Sequence, residues 1–224
     1  GLDVENGLHE FLAADPEFVD LARGRGVELR DLRKPPPDLN VPTGENLEVP
    51  ATIALTVGSD CAIGKMTVAI ELDREARRRG IRSEFVPTGQ TGIAIAGWGI
   101  AVDAVVADFI AGAAERLVVE GSRRGGELLI VEGQGSLLHP QYSGVTLGLY
   151  HGSAPHLLVL CHVAGQRHVA DDERFPIPPL RELVDLHERT ALIARPARVV
   201  GVALNTRALD ETSARRAIEE AEAE

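Results

Sequence analysis

Ten consecutive residues, Gly58, Ser59, Asp60, Cys61, Ala62, Ile63, Gly64, Lys65, Met66 and Thr67, carry the clearest chemical signal in the chain. Glycines let a backbone turn several N–H groups inward, a helix N-terminus adds a partial positive charge and a lysine a full one. Together they cradle a phosphate. In the usual pattern four residues separate the two glycines and Ser or Thr directly follows the lysine. Here Ser59 could occupy the first glycine's place, Met66 stands where the magnesium-binding hydroxyl belongs, and Thr67 comes one position late. The loop predicts a phosphate site and leaves the metal open. A strand-to-helix turn whose glycines serve packing alone is the plainer alternative, and Lys65 argues against it. Glu132 points the same way, because it follows the apolar run ELLIV and parallel sheets present functional side chains at the carboxyl ends of their strands. In phosphate-transfer enzymes such an acid binds magnesium or orients water.

These residues need elements to hold them. Residues 51–57, 82–89, 127–134, 156–163 and 197–205 read as short apolar strands, with helical patterns at 66–80, 102–125 and 180–193. Uninterrupted apolar strands alternating with helices imply a parallel sheet covered on both faces, so the fold class is α/β, doubly wound, of P-loop NTPase type. Residues 1–33 read as a helix-rich lead-in, with Asp15 as an N-cap before Pro16 and a short strand at 27–32. The proline-rich segment 33–50 suits a linker or surface strap.

Composition removes several function classes. A net charge of −11 repels a nucleic-acid backbone, so no nucleic acid is expected as partner. No apolar run approaches the roughly 20 residues that a membrane-spanning helix needs. The two cysteines, Cys61 and Cys161, form neither a disulfide framework nor a zinc-ligand spacing, so reduced thiols in the cytoplasm and no resident metal are expected. The apolar stretch 102–119 suggests a subunit contact and hence a homo-oligomer. The chain opens on Gly1 and closes in an uncapped helical pattern, which reads as a piece of something longer.

The segments GLDVENGLHEFL, VGSDCAIGKMT, PTGQTGIAIAGWGIAVDAVVADFIAGAAE, VEGQGSLLHP and VALNT together resemble a family long labelled only as a domain of unknown function. That family has P-loop architecture and is associated with D-glutamate N-acetyltransferase. The resemblance covers nearly the whole chain; the loop and VEGQGS are more distantly similar to dethiobiotin synthetase. It implies residues 1–50 as lead-in and linker and 51–224 as the P-loop domain, with a Rossmann-like domain expected before them and a short extension after. It also implies transfer of an acetyl group from acetyl-CoA to the amine of D-glutamate. Residues 58–67 would then grip the coenzyme's phosphates without assembling a magnesium-bound γ-phosphate, which makes Met66 less anomalous.

Amine acetylation needs a base near the amine and donors for the oxyanion. Glu132 and His139 are the two candidates for the base. Thr88, Gln90 and Thr91, in PTGQTG, are neutral donors for a substrate carboxylate or the thioester oxygen, and Arg167 could grip a dicarboxylate through its planar fork. Asn205, at the end of the last strand, is a candidate adenine contact by analogy. His162, His168 and Trp98 read as structural, and Cys61 as an unassisted thiol with no base visible nearby in sequence. Two alternatives stand beside the acyltransferase: an ATP- and magnesium-dependent ligase or phosphotransferase of dethiobiotin synthetase type, and a non-catalytic nucleotide-binding module.

Overall fold

The strand pattern folds into one twisted parallel sheet. A computed structural model describes residues 1–223. Its main sheet comprises β3 (Thr52–Gly58), β4 (Ser83–Val86), β5 (Leu128–Val131), β6 (Leu157–Val163) and β7 (Arg198–Asn205), in the spatial order β4-β5-β3-β6-β7 with every pair parallel. Central β3 is buried at six successive positions, as a strand covered on both faces must be. One face packs on α2 (Lys65–Arg78), through Ala69 and its half-buried neighbours Met66 and Ile70. The other, larger core is closed by α4 (Ile110–Arg123), α5 (Ser143–Ser153) and α6 (Leu180–Thr190), with Leu117, Leu149 and Leu183 among the residues that meet Ile53 and Leu55. The amphipathic α7 (Glu211–Ala223) follows β7. Among the described residues, no helix is long and apolar enough to cross a membrane.

Three elements depart from the sequence reading. The helix expected over 102–125 begins only at Ile110; residues 102–109 form two 3₁₀ turns, because Val102 and Val105 enter the core and Val102 N–H is tied to Thr88 O at 3.0 Å. The apolar face of α4 turns inward onto the chain's own core, which removes the reason given for a subunit contact there. The strand expected over 82–89 ends at Val86, and α3 (Gln90–Ala96) starts within PTGQTG. Helix α5 had no sequence signal because its glycines weaken helix propensity. The crossing with α4 requires them: a Cβ on Gly152 would lie 2.0 Å from Ala111 O, and one on Gly148 2.3 Å from Ile110 Cγ2.

The lead-in is a βαβ unit. Strands β1 (Val4–Asn6) and β2 (Leu29–Asp31) pair in parallel on either side of α1 (Pro16–Arg25), whose N-terminus Asp15 caps by accepting Glu17 N–H at 2.9 Å. A three-residue strand is too short to show alternation, which is why β1 escaped the pattern. Beyond it, the strap rests on one buried acid. Glu115 accepts Thr43 N–H (2.6 Å), Thr43 Oγ1–H (2.9 Å) and Gly44 N–H (2.7 Å). Burial pushes its carboxyl up, but these donors outweigh burial and leave it below the usual range. Glu115→Ala should therefore leave the Thr43 and Gly44 N–H groups without an acceptor and cost about 3 kcal/mol. A melting point lowered by about 9 °C in calorimetry, with new protease cleavage in 36–44, is the expected result; an unchanged melt would mean the strap is held elsewhere.

Candidate functional site

The phosphate loop spans the gap between β3 and α2. Gly64, at φ 112°, takes the left-handed conformation that lets the chain turn back into the helix, and Ala62, at φ 54°, shares it. A Cβ on Gly58 would meet Ile63 Cδ1 at 2.6 Å. Neighbouring strands hold the loop from beneath. Ser59 N–H donates to Cys161 O (3.1 Å), Ser59 Oγ pairs with His162 Nδ1 (2.9 Å), and Asn205 Nδ2 donates to Ile63 O (3.1 Å). Asp60, buried, accepts Cys61 N–H on Oδ1 (2.6 Å), and Gln166 Nε2–H and Ala170 N–H on Oδ2 (both 2.7 Å). Lys65 is also buried, donates to Asp60 O at 2.6 Å, and has its ammonium pulled below the usual range by burial.

A cleft of about 450 Å³ lies over this loop. Cys61, Ala62, Gly64, Lys65, Met66 and Thr67 form one wall, and Glu132 to Gly135 the other; Asp103, Tyr142 and His9 close it. Glu132 is only 3% exposed. Its Oε2 accepts Thr88 N–H (2.9 Å) and Gly89 N–H (3.1 Å), while Thr88 Oγ1–H donates to Glu132 O (2.6 Å). Burial pushes its carboxyl up to about 7 against the opposing pull of those two N–H groups and Gln134, and the charge of Asp103 adds to the rise. The glycines of PTGQTG exist for this acid: a Cβ on Gly92 would stand 2.4 Å from Glu132 Oε2.

The residues named from sequence thus divide. Lys65, Cys61, Ala62, Gly64, Met66, Thr67 and Glu132 share the cleft, while Gly58, Ser59, Asp60, Ile63 and Asn205 shape the loop from behind. Thr88 holds Glu132 in place, and Gln90 accepts from Arg33 Nη1 (3.1 Å), which also pairs with Asp103 (3.0 Å). Thr91 is exposed on the first turn of α3. His139 is buried against the Tyr142 ring, 4.7 Å between centroids. Arg167 lines a different cleft and does not join Glu132. Sequence reasoning missed Asp103, hidden in a stretch read as helix, and His9 and Tyr142, which had no spacing to betray them; Gln134 was visible only as a neighbour of Glu132.

Asp60, Cys61 and His139 bring one donor atom each within 4.8 Å of one another. The set does not fit a metal. Both Asp60 oxygens already accept N–H bonds, and His139 Nδ1 accepts Gln141 N–H (3.2 Å), which leaves the ring proton on Nε2. A metal-binding histidine instead donates from its far nitrogen to an acceptor.

Residues 40–224 match the family described as "Domain of unknown function (DUF1611_C) P-loop domain", and residues 1–35 match "Domain of unknown function (DUF1611_N) Rossmann-like domain". The chain belongs to this family. A crystal structure of a DUF1611 family protein from Anabaena variabilis ATCC 29413 superimposes with a TM-score of 0.93 at 46% identity, covering 99% of this chain and 65% of that one. Two curated relatives carry the name D-glutamate N-acetyltransferase. That from Tritonibacter scottomollicae is 39% identical over 223 residues, 99% of this chain and 66% of its own length. That from a Pseudoalteromonas species is 38% identical over 207 residues, 92% and 61% respectively. The chain therefore spans about two thirds of the curated relatives it matches.

The raised carboxyl of Glu132 makes stability depend on pH. The folded state favours its protonated form, so this contribution is full below about pH 4.5 and is lost as pH rises through about 7. Glu132→Gln keeps an acceptor oxygen for Thr88 and Gly89 and removes that loss. In urea titrations, the variant's stability relative to the parent should rise by about 2–3 kcal/mol between about pH 5 and about pH 8.5; a constant difference would contradict the burial argument.

Proposed function

We propose that this chain forms the P-loop part of an acyltransferase that moves an acetyl group from acetyl-CoA to the amine of D-glutamate. The observation that carries it is a buried carboxyl, Glu132, held near neutral pKa in the cleft that also contains Lys65 and the phosphate loop. The loop's N–H groups and Lys65 hold the coenzyme's phosphates, and Glu132 takes the proton from the attacking amine. A base with a pKa near the working pH is the efficient choice for that step. Gln134 and Tyr142, on the cleft walls, are neutral donors for the thioester oxygen. The names of the two curated relatives support the acceptor and the transfer. The two free thiols suit a cytoplasmic setting for it.

The ligase reading needs a hydroxyl beside Lys65 to hold magnesium. Met66 occupies that place and packs half-buried against the cluster of Ala54, Ala69, Phe85 and Ile130, which disfavours it. A purely regulatory nucleotide module gives no reason to bury Glu132 beside the loop. Calorimetric titration with acetyl-CoA, and separately with ATP and magnesium, followed by a thiol-release assay with D-glutamate, tests the proposal. Acetyl-CoA binding with acceptor-dependent thiol release is expected; tight magnesium-dependent ATP binding without affinity for acetyl-CoA would sink it. Glu132→Gln should lower kcat by about 10²- to 10⁴-fold and spare coenzyme binding. In the parent, kcat/KM should climb with pH to a plateau above about 7, because the ionised acid is the active form.

A further inference from the structure

A second cleft, of about 290 Å³, opens at the carboxyl ends of β6 and β7 and plays no part in the chemistry described so far. Its size is at the small end of the roughly 300–1,000 Å³ that ligand pockets occupy, enough for a nucleoside and too little for a whole coenzyme. Ile177, Pro179 and Leu204 give it an apolar wall, and His162, Gln166 and Arg167 a polar one. Two of these polar residues bond directly to the phosphate loop: Gln166 Nε2 to Asp60 Oδ2 at 2.7 Å, and His162 Nδ1 to Ser59 Oγ at 2.9 Å. Through these two bonds the cleft adjoins Ser59 and Asp60, which shape the loop.

We infer that this cleft seats the 3′-phosphoadenosine end of coenzyme A, with Arg167 gripping the ribose 3′-phosphate. The inference rests on the acetyl-CoA reading above. Proline and leucine faces suit a purine ring. Gln166 Oε1 is shielded and accepts no hydrogen bond among the described residues, so a small shift of this side chain offers an acceptor to the exocyclic amine of adenine. Arg167 is exposed at the rim, on a segment pinned by Ile177 N–H donating to Arg167 O at 2.8 Å. The one acid in the cleft, Glu220, has its own partner in Arg216 at 3.5 Å. A guanidinium recognises a terminal phosphate through paired hydrogen bonds, and ATP has no phosphate at that position. Adenosine here and pyrophosphate at the loop would direct the pantetheine arm onward to Glu132.

The test compares acetyl-CoA with acetyl-3′-dephospho-CoA, in calorimetric binding and in thiol release with D-glutamate. The parent should bind acetyl-CoA about tenfold more tightly than the dephospho form, and Arg167→Ala should erase that preference by weakening acetyl-CoA alone. Ala217→Trp, which fills the cleft, should weaken both coenzymes. Equal affinity of the parent for the two, an equal loss for both in Arg167→Ala, or an Ala217→Trp variant that binds both normally would each overturn the assignment while leaving acetyl transfer standing. Failure of the parent to use or bind either coenzyme would overturn both readings.

Discussion

A phosphate loop is a strip of backbone whose N–H groups must point at a ligand, so it has no ladder of its own to hold it, and everything else in this molecule depends on how that strip is kept in shape. Asp60 does most of it. One buried carboxylate gathers N–H donors from its own loop and from the segment after β6, while Lys65 crosses back to the Asp60 carbonyl. Ser59 and Asn205 extend the same fixation to β6 and β7. The cradle is preorganised by hydrogen bonds that lie behind it, which leaves its front face for a ligand.

The buried acids show how burial set against hydrogen-bond donors decides chemistry. Glu115 collects two backbone N–H groups and a hydroxyl near the surface and stays strongly ionised, a structural peg. Glu132 receives a comparable set, two backbone N–H groups on one oxygen and Gln134, but sits deeper and has Asp103 as a like-charged neighbour, so burial wins and the proton is held near neutrality. The same residue type is inert in one place and poised in the other.

Much of this was legible from the chain. The alternation of apolar strands with helices foretold the parallel sheet, and the loop 58–67 and Glu132 stood out by residue type and position. Glycines misled in α5, where close helix crossing overrode propensity, and in PTGQTG, where the need for close approach to Glu132 is invisible until the sheet brings two distant segments together. Asp103 and His9 join the cleft only through tertiary contact, and that Arg167 lines a cleft apart from Glu132 was not legible because strand ends look alike in sequence while the sheet order that separates them does not appear there.

Arg33 belongs to the stretch that carries the βαβ unit, yet its guanidinium, 4% exposed, is the counter-ion of Asp103 in the cleft wall. That contact ties the first segment of the chain electrostatically to the cleft of the second. With Arg33 in place the field of Asp103 is partly cancelled; without it, the uncompensated charge would tighten the grip of Glu132 on its proton and carry it away from neutrality. The two family-matched parts are thus joined by charge as well as by chain.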